Sequence, residues 1–149
     1  MNYDHDNPLI KGLHLIKYRG LIEIADPLSK IIEQKIDIDT IFCPVPISNQ
    51  KFKQRGFNQT EILLKNYQTA SLLKRTKQIS NQQELSFLRR RENVKNCFEI
   101  TTESIPREVV LFDDIATTLS TLNECAKVLK QNGAKKVKAI ALARQTLKS

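Results

Sequence analysis

A chain of 149 residues, 40% of them hydrophobic, can fill one ordinary core and is short for two, so a single domain over residues 1–149 is expected. No stretch approaches the roughly 20 apolar residues of a membrane-spanning helix, residues 1–8 lack the basic-then-apolar order of a secretory signal, and Cys43, Cys97 and Cys125 lack the pairing of a disulfide framework or a self-contained zinc site. These exclusions leave a cytoplasmic domain without membrane insertion as the expectation, and the net charge of +8 points to an anionic partner.

In chain order, Leu9, Ile10, Leu13 and Leu15 or Ile16 predict a short helix ending near Gly20, with His14 on its half-buried side. Leu21, Ala25, Leu28, Ile31, Ile32 and Ile36 then follow the three-and-four spacing of one helical face and predict a helix over 21–36. Residues 40–46 form a short apolar run rich in β-formers that closes on Pro44 and Pro46. Proline cannot donate to a sheet ladder, so a buried strand entering a rigid loop is expected. Phe57, Ile62, Leu63 and Leu64 predict a helix over 57–67 running back across the sheet. A polar tract over 74–95 follows without a clear period, and a long polar loop in a compact domain is usually functional or mobile.

The last third is clearest. Glu108-Val109-Val110-Leu111-Phe112 reads as a strand covered on both faces that ends at Asp113-Asp114. Leu122, Cys125, Ala126 and Leu129 mark a helix stopped by Asn132-Gly133, and residues 137–143 predict another buried strand. Strand, helix and strand in this order form a parallel crossover, right-handed by default, so the fold class is α/β with a parallel sheet flanked by helices.

Ligands of open parallel sheets bind beyond the carboxyl ends of the strands, which is where Asp113 and Asp114 fall. Two acids there require a cation or hydrogen-bond donors, which a magnesium ion or a ribose diol supplies. The hydroxyl-rich stretch behind them, Thr117-Thr118-Leu119-Ser120-Thr121, leads into a helix N-terminus suited to a phosphate. The alternative is plain: Thr and Ser precede many helices as caps, and an acid pair can end a strand in solvent.

The stretch from Val110 through Asp113-Asp114 to Thr121 resembles the phosphoribosyl pyrophosphate (PRPP) signature of type I phosphoribosyltransferases. Lys17-Tyr18-Arg19-Gly20, Pro44-Val45-Pro46-Ile47-Ser48, Arg55-Gly56-Phe57-Asn58-Gln59, Gln82 with Leu85-Ser86, Arg90 with Asn93, Phe98, and Ala143-Arg144 resemble the ComF family of competence proteins in order and spacing, from Tyr3 to Arg144. The resemblance implies a type I phosphoribosyltransferase-like fold that binds PRPP or ribose 5-phosphate with magnesium. It implies that Asp113 and Asp114 meet the ribose hydroxyls or the metal, and that Thr117, Thr118, Leu119, Ser120 and Thr121 form the phosphate loop. Val45, Pro46, Ile47 and Ser48 would receive pyrophosphate, with Arg55 as a charge partner. Asn58 and Gln59 read equally as start-of-helix residues.

Two departures stand out. Many ComF proteins carry an N-terminal four-cysteine zinc module; its cysteines are not found here, which reads as a shortened member or a truncated start. The phosphate loop usually has Gly where this chain has Leu119, and Gly permits a positive φ that Leu resists; Ile79 stands where the family often has Thr.

Two functions compete: transfer of phosphoribosyl from PRPP to an unknown acceptor, or non-catalytic handling of single-stranded DNA in natural transformation, with the DNA-uptake machinery as partner. A PRPP-sensing regulator is a weaker third reading. The basic run that includes Arg89, Arg90 and Arg91 is either a solvated face or a nucleic-acid contact. A contact releases counterions. Replacing these three arginines by Ala should therefore flatten the slope of log affinity for single-stranded DNA against log salt, measured by anisotropy; an unchanged slope marks a solvated face.

Overall fold

The computed structural model describes residues 7–33, 40–76, 96–117 and 119–144. Within them, a parallel sheet runs in the order β1 (Phe42–Pro44), β4 (Glu108–Ala116), β5 (Lys136–Arg144), and a separate antiparallel hairpin pairs β2 (Leu73–Arg75) with β3 (Phe98–Ile100). The helices are α1 (Pro8–Arg19), α2 (Ala25–Glu33), α3 (Asn49–Arg55), α4 (Gln59–Leu63) and α5 (Ser120–Gln131).

The central strand β4 divides the core in two because its side chains alternate between faces. Val109 and Leu111 join Leu122, Cys125 and Leu129 of α5 and Leu72, Leu73, Cys97 and Phe98 of the hairpin region. Val110 and Phe112 join Leu9, Leu13 and Ile16 of α1, Ala25 of α2, and Leu63 and Leu64 beside α4. Phe42 stacks edge-on against both Phe112 and Tyr67. Residues 68–70 close the outer edge of β1: the Phe42 amide donates to the Gln68 carbonyl, and the Ala70 amide to that of Phe42.

α1 forms as its apolar spacing requires. Asn7 Oδ1 accepts from the Leu9 amide at 2.9 Å, Pro8 occupies the first helical position where its missing N–H costs nothing, and Ile16 rather than Leu15 is buried. Gly12 lets α2 approach, since a Cβ there would meet Leu28 Cδ1 at 3.2 Å.

Four expectations are corrected. The single helix over 21–36 is a 3-10 turn (Ile22–Ile24) followed by α2, and Leu21 and Ile31 stay exposed. Pro27 lies in the first turn of α2, where its lack of an amide hydrogen is tolerated; Ile36 lies outside the described residues. The helix over 57–67 shrinks to α4 and a turn. The strand bearing the acids does not end at Asp113-Asp114 but continues to Ala116. β5 is mostly exposed or half-buried rather than buried, with Leu142 and Ala143 its buried members. α3 and the hairpin were not anticipated. The stop at Asn132-Gly133 holds, with Gly133 at φ 115°.

Leu111 is fully buried and Ile31 37% exposed. Leu111→Ala should therefore cost about 2–5 kcal/mol and Ile31→Ala less than about 0.5 kcal/mol in urea unfolding; a large loss at Ile31 contradicts the split helix.

Candidate ribose-phosphate site

The carboxyl ends of β1 and β4 open into a cavity of about 340 Å3. Its lining includes four cationic side chains, Lys17, Lys51, Arg55 and Arg75, beside Asp113 and Asp114, together with Val45, Pro46, Ile47, Thr117 and Thr121. Residues far apart in sequence are thus brought to one place by the parallel sheet, as the topology of such sheets dictates.

β4 delivers the acids through an irregularity. Its register with β5 runs in step through Asp113↔Ala141 and resumes at Ile115↔Ala143. Ile115 packs with the cluster of Phe112, whereas Ala116 packs with that of Leu111, so strict alternation fails at the acid pair. Asp114 is 3% exposed; its Oδ2 forms an ion pair with Lys17 Nζ from the last turn of α1 and accepts no aligned hydrogen bond from the described residues. Asp114 is therefore part of the buried interior and does not end the strand in solvent. Asp113 Oδ1 accepts from the Asp114 amide at 2.9 Å. Although solvent reaches Asp113, it sits on the floor of the cavity. Desolvation first, and the Asp114 charge second, push its pKa up to about 7.

The β1 loop is held from behind. The Val45 carbonyl accepts from Asn58 Nδ2 and from Thr60 Oγ1, both at 3.2 Å, while Asn58 Oδ1 caps α4 by accepting from the Thr60 amide. Asn58 is thus both a start-of-helix residue and a brace for the loop. Ser48 caps α3, its Oγ accepting from the Lys51 amide at 3.3 Å. Val45, Pro46 and Ile47 line the cavity. Arg55 donates to Gln59 Oε1 at 2.8 Å and lies over the Tyr18 ring, 5.7 Å from its centroid.

The cations crowd one another. Burial, then the charges of Arg55, Arg75 and Lys17, lower the pKa of Lys51, and burial lowers that of Arg75. Arg75 stacks on Phe98 at 5.5 Å, and its buried Nε has no hydrogen-bond partner among the described residues. An orphaned guanidinium donor among like charges is costly unless an anion completes it.

Sequence reasoning missed Lys17, Lys51 and Arg75 as cavity residues. Their legible signals were Lys17 within the Lys17-Tyr18-Arg19-Gly20 motif and Lys51 three residues after the Ser48 cap. Arg75 depends on the hairpin: Leu73 and Arg75 alternate with exposed Lys74, which aims Arg75 inward. Thr118, Gln82, Asn93 and the arginines 89–91 lie outside the described residues.

Leu119 has φ 57° and ψ −2°, the left-handed conformation, and precedes α5 with no side-chain cap. Its side chain is 36% exposed. The backbone therefore keeps the shape that Gly would adopt freely. Ser120 is buried and Thr121 half-buried behind it. α5 has no acid in its first turn, leaving its positive end for an anion.

The two acids require something of any bound magnesium. No group of three or more His, Cys, Asp or Glu among the described residues could hold a metal, and Asp114 is engaged by Lys17. Magnesium is commonly held by one or two carboxylates plus substrate phosphates, so the donor set fits a metal arriving with a diphosphate.

Fold and cavity define a type I phosphoribosyltransferase fold. The solved structure of the allosteric regulatory enzyme of purine biosynthesis superposes with a TM-score of 0.52 over 79% of this chain and 25% of that one, at 15% identity. Three relatives carry the sequence relationship further. DNA utilization protein YhgH of Escherichia coli K12 is 29% identical over 95% of this chain and 69% of its own length. Competence protein F of Haemophilus influenzae is 35% identical over 68% of this chain and 48% of its own, and competence protein ComFC of Streptococcus pneumoniae is 36% identical over 69% and 47%. No protein-family model matches. The chain belongs to the ComF family.

An L-residue in the left-handed region is strained by roughly 1–2 kcal/mol, against roughly 0.5–1 kcal/mol for the freedom Gly loses on folding. Leu119→Gly should raise the thermal midpoint by about 1–4 °C. A fall by several degrees in calorimetry would show that the Leu119 side chain stabilises the loop.

Proposed function

We propose that this chain binds PRPP with magnesium and serves as a phosphoribosyltransferase-like protein in DNA handling during competence. The observation that carries the reading is the convergence of Asp113, the α5 N-terminus and the cations Lys51, Arg55 and Arg75 on one cavity at the carboxyl ends of β1 and β4. The names of the relatives, DNA utilization protein and competence protein, supply the biological setting.

Asp113 would accept hydrogen bonds from the ribose diol, which returns a partner to a carboxylate that burial disfavours. The Thr117 and Thr121 hydroxyls and the first-turn amides of α5 would hold the 5-phosphate. Lys51, Arg55 and Arg75 would balance the pyrophosphate charge, and the orphaned Arg75 Nε would gain its acceptor. Asp113, together with the substrate's own phosphates, would hold magnesium, which would supply positive charge against the diphosphate. Positive character at C1 of the ribose would be met by positioned groups rather than by a protein nucleophile. Cys43 and Cys125 suit no such role: burial pushes the Cys43 thiol up to about 11 and raises that of Cys125 further.

The second reading, single-stranded DNA handled without turnover, is favoured by the net charge of +8 and by the DNA-related names. Pyrophosphate release on adding candidate acceptors separates the two.

Because Asp114 is buried against Lys17, changing both acids at once confounds folding with binding; Asp113 alone is the clean probe. Hydrogen bonds to a charged group contribute roughly 1.5–3 kcal/mol, so Asp113→Asn should weaken magnesium-dependent PRPP binding by about 10- to 100-fold in calorimetric titration. Equal affinity in a folded Asp113→Asn variant removes the ribose site.

A further inference from the structure

The opposite end of the sheet holds a second cavity, of about 430 Å3, at the amino ends of β1, β4 and β5. It shares no lining residue with the ribose-phosphate cavity. Ile41 lies on its β1 side, Lys136 and Lys138 on its β5 side, and Pro106 and Arg107 just before β4. Backbone bonds fix these parts to one another. The Val110 amide donates to the Ile41 carbonyl at 3.1 Å, and the Arg107 carbonyl accepts from the amides of Lys135 and Lys136 at 2.8 and 2.9 Å. Charge in this cavity is unbalanced. Glu108 is taken by its cross-strand neighbour Lys136 at 3.1 Å, whereas Arg107 and Lys138 have no acidic partner among the described residues. Lysines on an outer strand ordinarily guard its edge against pairing with another chain. That role accounts for Lys136 and Lys138 but not for Arg107, which precedes β4, nor for the apolar lining beside it.

We propose that this cavity binds an aliphatic dicarboxylate, with one carboxylate at Arg107, the other at Lys138, and the methylene bridge over Ile41, Pro106 and Val110. Spacing selects the class. Val110 stands opposite Lys138 in the sheet and three residues after Arg107, which sets the two cations about 10 Å apart along β4. A ligand whose negative charges are separated meets both, whereas a single compact anion is matched to one. The planar guanidinium of Arg107 suits a carboxylate through paired hydrogen bonds. Burial of the methylenes against apolar side chains adds to the attraction. This inference is independent of the ribose-phosphate reading.

Methyl NMR on the full chain separates the two cavities, because Ile41 and Val110 line this one and Val45 and Ile47 the other. Titrated glutarate should shift the Ile41 and Val110 methyl signals saturably and leave those of Val45 and Ile47 in place. Valerate, with the same carbon chain and one carboxylate, and inorganic phosphate should act on Ile41 and Val110 about tenfold more weakly or not at all. Arg107→Gln and Lys138→Gln, both at exposed positions, should each weaken glutarate by about tenfold. Lys135→Gln removes the same charge from an exposed neighbour outside the lining and should leave the affinity unchanged. Absence of a saturable shift at Ile41 and Val110, equal affinity for valerate or phosphate, or an equal loss in Lys135→Gln overturns the proposal. Shifts of Val45 and Ile47 on adding PRPP with magnesium test the ribose-phosphate reading separately, so either reading can fail alone.

Discussion

The buried pair between Lys17 and Asp114 is the constraint around which the site is organised. A carboxylate at the depth of Asp114 is penalised by desolvation on the order of several kcal/mol unless a cation meets it. Among the described residues that cation comes from the last turn of α1. α1 must therefore dock with its C-terminal end over the end of β4, and its buried Leu9, Leu13 and Ile16 make that docking favourable through apolar burial. Lys17 and Tyr18 then reach the cavity as consequences of one helix orientation.

Charge on the opposite wall is arranged by different means. Arg75 reaches the cavity because the hairpin packs Leu73, Cys97 and Phe98 into the α5 side of the core, and Lys51 because Ser48 starts α3 immediately beyond the β1 loop. Each cation is supported by its own element. After burial, the charges of Arg55, Arg75 and Lys17 depress the affinity of Lys51 for its proton, a repulsion that the fold sustains through its apolar clusters. An anionic ligand would relieve it, which links the energetics of the fold to the chemistry of the proposed ligand.

Leu119 holds the left-handed backbone shape that Gly adopts freely, although its residue type departs from the resemblance. The loop before α5 still places this position at φ 57°, because the chain must turn from β4 into a helix whose Leu122, Cys125 and Leu129 are committed to the core. Packing beyond the loop outweighs the local strain, which falls on an exposed side chain.

Much of this was legible in the sequence. The apolar run before Asp113-Asp114, the spacing of α1 and α5, and the Asn132-Gly133 stop follow from local periodicity and capping, which act within a few residues. The resemblance carried by Val110 to Thr121 and by Lys17-Tyr18-Arg19-Gly20 led to the family. The short α4, the exposed β5 and the hairpin were not legible, because their burial depends on partners distant in the chain. The same holds for the two acids. Adjacent in sequence and chemically identical, Asp113 and Asp114 differ only in what the fold sets against them: a cavity floor for one and the ammonium of Lys17 for the other. Sequence alone determined that two acids would follow the apolar run of the central strand; tertiary structure carried the strand past them and decided which is a structural anchor and which is left to meet a ligand, since desolvation and charge pairing depend on neighbours that only folding supplies.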